Sequence, residues 1–480
     1  MGGLVKRLVA GGMAYQAASL LSAALAVVTL RLYTSDAGLT PTQLGYGETL
    51  LTAIILVSIF LRLGIAEAFV RFYVETDDPV RRDELARTTT TVVLAATTAV
   101  GLVLLTVAGP LSDLLLGTRD ATLMSIGLLG LWAFTNLEVA YALLRVEEQR
   151  ARYLVASVTN VLLTVTLTIV LVVVLDQGAR GYVLGNYGAS TVVLVGLWIA
   201  QGRRVRPIRP RGLQALLRYG LPTIAADATV FALNVIDRAY LLRAESPGVA
   251  GVYAVSVKLA TAIVVVVRGF QAAWPPLVYG ITDDDEARRL YAFVALLYVA
   301  IIGWAVCALS LLAPWIVTLL SGPKYRGAAD ALGWVALGWA LYGLYLLLVT
   351  IAGRVKAMTR TLLPAALGLV VNVVVLLVAV PPLGIEGAGI ALAAAYVVML
   401  GALHLLTRRA FPVPFAWARL GALVALLAAV AVSGELLLGR EGIAALVERA
   451  LWLLLAPAGA LALLTPDERR RVRGLLLRRG

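Results

Sequence analysis

About fourteen apolar stretches, each long enough to cross a bilayer, fill this chain almost from end to end. A spanning helix needs roughly 20 mostly apolar residues, and mean hydropathy is +0.90 over the chain. Only helices and closed barrels satisfy their backbone in lipid, and barrel strands would read as alternating segments of about ten residues. The sequence therefore predicts an all-α polytopic membrane protein with spans at 9–32, 45–70, 88–109, 122–144, 153–175, 181–201, 219–241, 250–275, 290–312, 328–352, 361–381, 385–406, 417–437 and 443–464.

The charges of the connecting loops alternate along the chain. Even-numbered loops are basic, as with Arg145, Arg150 and Arg152, whereas Arg119 and Arg180 are nearly alone in their odd-numbered loops. Cytoplasmic loops carry the excess of Lys and Arg in membrane proteins. We therefore expect a multi-pass protein of the cytoplasmic membrane with both termini in the cytoplasm, and we attribute the net charge of +13 to topology and lipid attraction rather than to nucleic-acid binding.

Composition argues against most covalent chemistry. The single cysteine, Cys307, and the single histidine, His404, both lie in apolar runs, so no disulfide or His/Cys metal cluster is available. The sequence contains neither a GxxxxGK[ST] loop nor a G-x-S-x-G turn. The acids of the predicted outer loops, Asp113, Asp120 and Asp176, are sparse and unpaired. We expect a protein that is not an enzyme and that needs no cofactor or metal.

An internal repeat relates the two halves of the chain. In each copy an arginine is followed by a glycine at the start of the next span, and a second arginine lies 17 residues after that glycine. The first copy is Arg31, Gly45 and Arg62. The second copy is Arg238, Gly251 and Arg268. A second, weaker match between the two halves relates Asn160 in span 5 to Asn372 in span 11. Because the copies are six spans apart, both halves share one orientation, with the repeat axis along the membrane normal.

The repeat predicts the domain organisation. Residues 1–201 form an N-terminal six-helix bundle, 202–218 a basic cytoplasmic linker, and 219–409 a second six-helix bundle. Residues 410–480 add a helix pair and a basic cytoplasmic tail.

Short motifs in a consistent order carry a family resemblance. They are Leu44-Gly45-Tyr46 through Gly64-Ile65-Ala66 and Arg71-Phe72, then Tyr219-Gly220-Leu221-Pro222, Asp237-Arg238, Gly251-Val252-Tyr253, Ala273-Trp274-Pro275, and Gly384 to Ala394. In these the chain resembles Wzx-type polysaccharide flippases of the multidrug/oligosaccharidyl-lipid/polysaccharide exporter superfamily. The resemblance implies two six-helix bundles in a V around a central cavity, with two additional helices.

Ionisable groups at membrane depth are expensive and usually face a cavity or a partner. Cations in such a cavity suit an anionic cargo, since arginine binds phosphate oxygens through a planar fork. The predicted substrate-binding residues are Arg31, Arg62, Arg238, Arg268 and Lys258, with Asn234 and Asn372 as hydrogen-bonding partners for sugar. The candidates for ion coupling are Asp227, Asp237 and Glu138.

Structural roles compete with these assignments. Arg62 and Arg268 lie roughly 25 Å along their helices from the outer start, so they could instead extend to the inner headgroups. Asp237 could pair with Lys258 or with Arg238.

The leading functional prediction is a flippase that moves a polyprenyl-diphosphate-linked oligosaccharide across the membrane by alternating access of the two bundles, for surface polysaccharide or glycan assembly. Its expected partners are that lipid-linked cargo, membrane lipids, H⁺ or Na⁺, and polysaccharide assembly proteins. A cation-coupled multidrug-type antiporter is the alternative, and an integral membrane glycosyltransferase or polymerase comes third. A lipid II flippase is a close relative of the leading prediction and stays open.

Overall fold

The computed structural model describes residues 29–202, 206–210, 212–281, 283–355, 361–463 and 465, and these form helices and turns without a strand. The first predicted span up to residue 28 and the arginine-rich C-terminal tail lie outside the described residues. So do the side chains of Asp227 and Asn234, although their backbone is helical.

Each predicted span from the second onward falls on one described helix or on two consecutive ones. The helices of the N-terminal part are α1 (Pro41–Leu61), α2 (Ile65–Glu75), α3 (Pro79–Thr106), α4 (Ala108–Leu116), α5 (Ala121–Val146), α6 (Arg150–Ile169, continued by a π-helical turn Val170–Val174) and α7 (Gly178–Gln201). They are followed by α8 (Leu213–Ala244), which begins inside the predicted linker.

The later helices are α9 (Pro247–Gly280), α10 (Asp284–Leu311), α11 (Ala313–Leu320), α12 (Ala328–Arg354), α13 (Leu362–Leu383), α14 (Ile385–Thr407), α15 (Trp417–Leu437), α16 (Gly442–Trp452) and α17 (Leu455–Leu463). A 3₁₀ turn, Pro323–Tyr325, precedes α12. In the described part of the chain, 12 helical segments are long and apolar enough to cross a membrane. The all-α membrane fold is therefore confirmed, while the number of fourteen spans stays a prediction.

Side-chain caps fix where several helices begin. Thr40 and Gln43 form a reciprocal capping box at the start of α1, where Pro41 occupies the first turn. Asp283 caps α10 by accepting a hydrogen bond from the Glu286 backbone N–H at 2.8 Å. This bond favours the carboxylate, so the pKa of Asp283 lies below its usual value.

The described residues group into two compact units. The first extends to Val255 and also includes Leu320–Tyr325 and Asn372–Ala388. The second comprises Ser256–Leu319, Arg326–Val371 and the chain from Gly389 onward. The division into two bundles at 202–218 stays a prediction.

The core of the first unit is built around α5. In the most apolar stretch of this helix 67% of the residues are buried, and it packs against α3 and α7. Leu137, Tyr141 and Leu144 of α5 form one apolar cluster with Val193 and Leu194 of α7. α5 also packs against α1.

The second unit contains a fully buried arginine. Arg449 on α16 has no exposed side-chain surface and donates to the Leu311 carbonyl and a Glu435 carboxylate oxygen, each at 2.8 Å. Its remaining donors reach the carbonyls of Gly439 at 2.8 Å and Leu438 at 3.1 Å. One guanidinium therefore ties the turn between α15 and α16 to the end of α10.

Candidate functional site

A cluster of ionisable side chains lies where α1 meets α8. Glu48 and Thr52 are one helical turn apart on α1 and face Arg238 on α8. Arg238 Nη1 donates to Thr52 Oγ1 and lies 3.8 Å from Glu48 Oε2. The side chains of Arg238 and Glu48 are only 11% and 7% exposed, so the pair is largely removed from solvent.

A third helix completes the environment of Glu48. Its other carboxylate oxygen accepts a hydrogen bond from the hydroxyl of Tyr182 on α7, which is itself buried. The ring of Tyr182 packs against Tyr33, with 5.4 Å between ring centroids. The Glu48 carboxylate is thus held by one cation and one phenol from two different helices.

Asp237 forms a second buried acid beside this pair. Its Oδ1 accepts the Arg238 backbone N–H at 2.8 Å, and its Oδ2 accepts the hydroxyl of Tyr253 on α9 at 2.7 Å. Asp237 is 2% exposed. We refer to Glu48, Asp237, Arg238, Tyr182 and Tyr253 as the charge cluster; it holds two acids and one base.

The guanidinium of Arg238 retains binding capacity. Its Nε is buried and has no hydrogen-bond partner among the described residues. A buried donor left without a partner costs about 1–3 kcal/mol. An oxygen of an anionic ligand would relieve this cost, which makes Arg238 the best-placed of the predicted binding arginines for a phosphate.

The structure changes the expected pairing of Asp237. Its carboxylate contacts the backbone of Arg238, while the guanidinium extends to Glu48 on another helix. Sequence reasoning missed Glu48 altogether, although its position three residues after Gly45 inside an apolar run was a usable signal.

Arg31 binds the backbone of a segment that is distant in sequence. Its Nη1 donates to the Ser321 carbonyl. Neighbouring residues bind the same segment: the Gly322 N–H donates to Thr34 Oγ1 at 3.1 Å, and the Tyr325 hydroxyl donates to the Leu39 carbonyl at 3.0 Å. These contacts place residues 320–325 in the first unit.

The structure places the other predicted cations at further positions along α1 and α9. Arg62 ends α1 about 15 Å along the helix from Thr52 and is half-buried, with its Nε 3.4 Å from the Ser58 carbonyl. Lys258 is half-buried and Arg268 is exposed on α9, both within the second unit.

The two asparagines of the weaker repeat match, Asn160 and Asn372, both have buried side-chain amides. Both amide atoms of Asn372 and the Oδ1 of Asn160 are buried, and no residue in the described part of the chain hydrogen-bonds to them. Glu138, the remaining candidate acid, is half-buried on α5. Its neighbour Asn136 is satisfied by Thr97 Oγ1 at 3.0 Å and by the Trp132 carbonyl.

The glycines of the repeat face each other across a very close helix crossing. A Cβ added at Gly45 would lie 1.9 Å from the Pro247 carbonyl oxygen, and one at Gly251 would lie 1.9 Å from the Pro41 carbonyl oxygen. The contact is reciprocal, as the repeat predicts for equivalent positions. It brings the first turns of α1 and α9 together near the charge cluster.

Replacing Gly45 with alanine is expected to displace this crossing. The new methyl group would overlap a backbone oxygen, and such overpacking costs typically 1–3 kcal/mol. We expect a lower midpoint of thermal unfolding in detergent for Gly45→Ala and for Gly251→Ala. Gly101→Ala is the control, because its Cβ meets open space on α3. If both glycine variants unfold at the same midpoint temperature as the control, the close helix crossing is contradicted.

Comparison with known proteins identifies the family. A family model described as polysaccharide biosynthesis protein matches residues 39–330, more than half of the chain. The chain belongs to this polysaccharide biosynthesis family. The family assignment inferred from the short motifs is thereby confirmed. No curated protein sequence matches the chain.

Solved structures show the fold of this polysaccharide biosynthesis family protein. The lipid II flippase MurJ in an inward closed conformation superposes with a TM-score of 0.73 at 14% identity, covering 92% of this chain and 96% of that protein. An inward-facing multidrug resistance MATE transporter of the MOP superfamily gives 0.63 at 17% identity, with coverages of 81% and 94%. An outward-facing member of the same group gives 0.56 at 18% identity, with coverages of 87% and 95%.

Proposed function

We propose that this polysaccharide biosynthesis family protein is a flippase for a polyprenyl-diphosphate-linked oligosaccharide in the cytoplasmic membrane. The glycan and the diphosphate must cross about 30 Å of hydrocarbon, which they cannot do unaided. The family match and the fold shared with a lipid II flippase support this cargo class. Transport requires no covalent chemistry, and surface polysaccharide assembly proteins would receive the product.

The observation that carries the proposal is Arg238. It combines a buried guanidinium with a donor that no described residue satisfies. A diphosphate oxygen at Nε would complete its hydrogen bonding, and a charge-assisted contact of this kind contributes about 1.5–3 kcal/mol. The cargo would then compete with Glu48 for the same cation.

The acids of the charge cluster provide a route for coupling. Glu48 and Asp237 together outnumber Arg238, so binding of H⁺ or Na⁺ to one acid would neutralise the cluster. Neutralising Glu48 would release Arg238 toward the cargo. Asp227 and Glu138 stay as further coupling candidates.

The alternative is a cation-coupled antiporter for small organic molecules. The shared fold with multidrug MATE transporters and the two buried acids favour it. Proteoliposomes separate the two functions when the purified protein is supplied with either a fluorescent polyprenyl-diphosphate oligosaccharide or a cationic dye. We expect movement of the lipid-linked oligosaccharide between leaflets and no accumulation of dye. Dye transport without oligosaccharide movement would overturn the flippase.

The cytoplasmic-side arginines are proposed to receive the cargo. Replacing Arg268 with alanine should slow oligosaccharide movement about tenfold to a hundredfold, from the loss of one phosphate contact. Arg268→Lys should restore part of the rate, since it keeps the charge and loses the fork. The same pair of substitutions applies to Arg62. Arg289→Ala, an exposed arginine at the start of α10, is the control. Alanine variants that match the control in rate would remove Arg268 and Arg62 from the cargo path.

Both termini are proposed to lie in the cytoplasm, on the basis of the basic even-numbered loops. This orientation places the two ends of α8 on opposite faces, so single cysteines test it in a Cys307→Ala background. Glu245→Cys, exposed after α8, should react in intact cells with an impermeant thiol reagent, and Gln214→Cys, exposed at its start, should not. The reverse pattern would invert the topology.

A further inference from the structure

A groove runs along the surface of the first unit between α6 and α7. Its volume is about 500 Å³, within the range of small-molecule sites. Small side chains form its floor, among them Ala156 on α6 and Gly196 and Ala200 on α7. A Cβ at Gly196 would meet no atom within 4 Å, so the space above this residue is open.

The groove lies on the most exposed of the long apolar helices. Only 11% of the residues in the most apolar stretch of α6 are buried, compared with 67% for α5. Val155 and Val192, which border the groove, are 66% and 58% exposed. In a membrane-spanning chain such a surface faces lipid, so the groove opens toward acyl chains rather than toward water.

A positive charge closes one end of the groove. Arg152 lies on the first turn of α6 and lines the groove, and its Nη1 donates to the neutral Gln149 Oε1 at 2.9 Å. The neighbouring Arg150 is instead paired with Glu148 at 3.3 Å. Arg152 therefore presents a charge that no acid in these contacts neutralises, at the level expected for headgroups.

We propose that this groove binds one anionic phospholipid. The phosphate of the lipid lies against Arg152, and the upper part of one acyl chain lies over Ala156 and Gly196. The groove follows α6 from Ala151 to Thr159, which is about 12 Å at the helical rise and matches the first half of an acyl chain. Charge complementarity selects an anionic headgroup, and the apolar floor selects a lipid over free phosphate.

Native mass spectrometry tests the site. The purified protein is delipidated and then titrated with phosphatidylglycerol or phosphatidylcholine. We expect one tightly held phosphatidylglycerol and about fivefold weaker retention of phosphatidylcholine, the effect of one basic residue near the membrane surface. Arg152→Gln should abolish the preference, and Arg152→Lys should keep it. Gly196→Leu should displace the lipid by filling the groove.

Matched controls separate this site from general lipid contact. Gly101→Leu places the same side chain in open space on α3, and Arg409→Gln removes an exposed arginine elsewhere. Both should bind lipid as the wild type does. Wild-type retention by either Arg152→Gln or Gly196→Leu would overturn the proposal, as would equal retention of the two lipids. Loss of lipid binding in the control variants would show that the lipid binds non-specifically, and this result would also overturn the proposal.

Discussion

Replacing Arg238 with alanine is expected to slow oligosaccharide movement about a hundredfold and to lower the free energy of unfolding by about 3–5 kcal/mol. The first effect follows from losing the proposed phosphate contact. The second follows because Glu48, 7% exposed, would lose the guanidinium that lies 3.8 Å from its carboxylate. Transport in proteoliposomes and reversible unfolding in mixed micelles measure the two effects on the same preparation.

A double substitution distinguishes a structural role of Arg238 from a role in transport. Replacing a buried ion pair by apolar side chains is often neutral for stability, so Glu48→Leu combined with Arg238→Met should recover much of the lost unfolding free energy. It should not recover transport, because no cation returns to the site. Arg238→Lys should retain part of the rate. Wild-type transport by the double variant would show that Arg238 only holds α1 against α8.

The second large effect concerns Arg449. Alanine at this position is expected to lower the free energy of unfolding by about 3–5 kcal/mol, because a fully buried guanidinium with four hydrogen-bonded partners is lost at once. Three of those partners are carbonyls left without a donor. Unfolding in mixed micelles measures the loss.

Arg440 provides a matched control for Arg449. It contacts the same carboxylate of Glu435 but is 57% exposed, and exposed ion pairs contribute at most about 1 kcal/mol. Arg440→Ala should therefore change stability little. If the two alanine substitutions destabilise the protein equally, then the loss of unfolding free energy comes from the contact with the shared Glu435 and not from the burial of Arg449.

The helices were predictable because length and apolarity are properties of a single stretch of chain. The span expected at 417–437 is α15 with the same bounds, and the span at 385–406 is α14 to within one residue. Helix ends were less predictable, since they depend on caps and turns. The span at 250–275 extends to Pro247–Gly280, and the span at 443–464 is broken into α16 and α17.

The candidate site was predictable only in part, because a sequence gives the depth of a charge and not its partner. Arg238 and Asp237 were identified from depth alone. Glu48 contacts Arg238 from α1, Tyr253 contacts Asp237 from α9, and Tyr182 on α7 binds Glu48. No local sequence pattern indicates these contacts. The repeat was more informative. It identified Gly45 and Gly251 as equivalent positions, and in the structure these two glycines lie at one close helix crossing.

The backbone contacts of residues 320–325 have a consequence for biogenesis. The Tyr325 hydroxyl binds the Leu39 carbonyl across a separation of 286 residues. At about 5–20 residues per second, a ribosome needs on the order of 15–60 s to deliver Tyr325 after Leu39. Throughout that interval the Thr34 hydroxyl oxygen and the Leu39 carbonyl lack the donors that Gly322 and Tyr325 supply, and they depend on water or on the insertion machinery. Slowing translation between these two segments should therefore expose a newly made chain to proteolysis at its N-terminal loop, long after the neighbouring helices have entered the membrane.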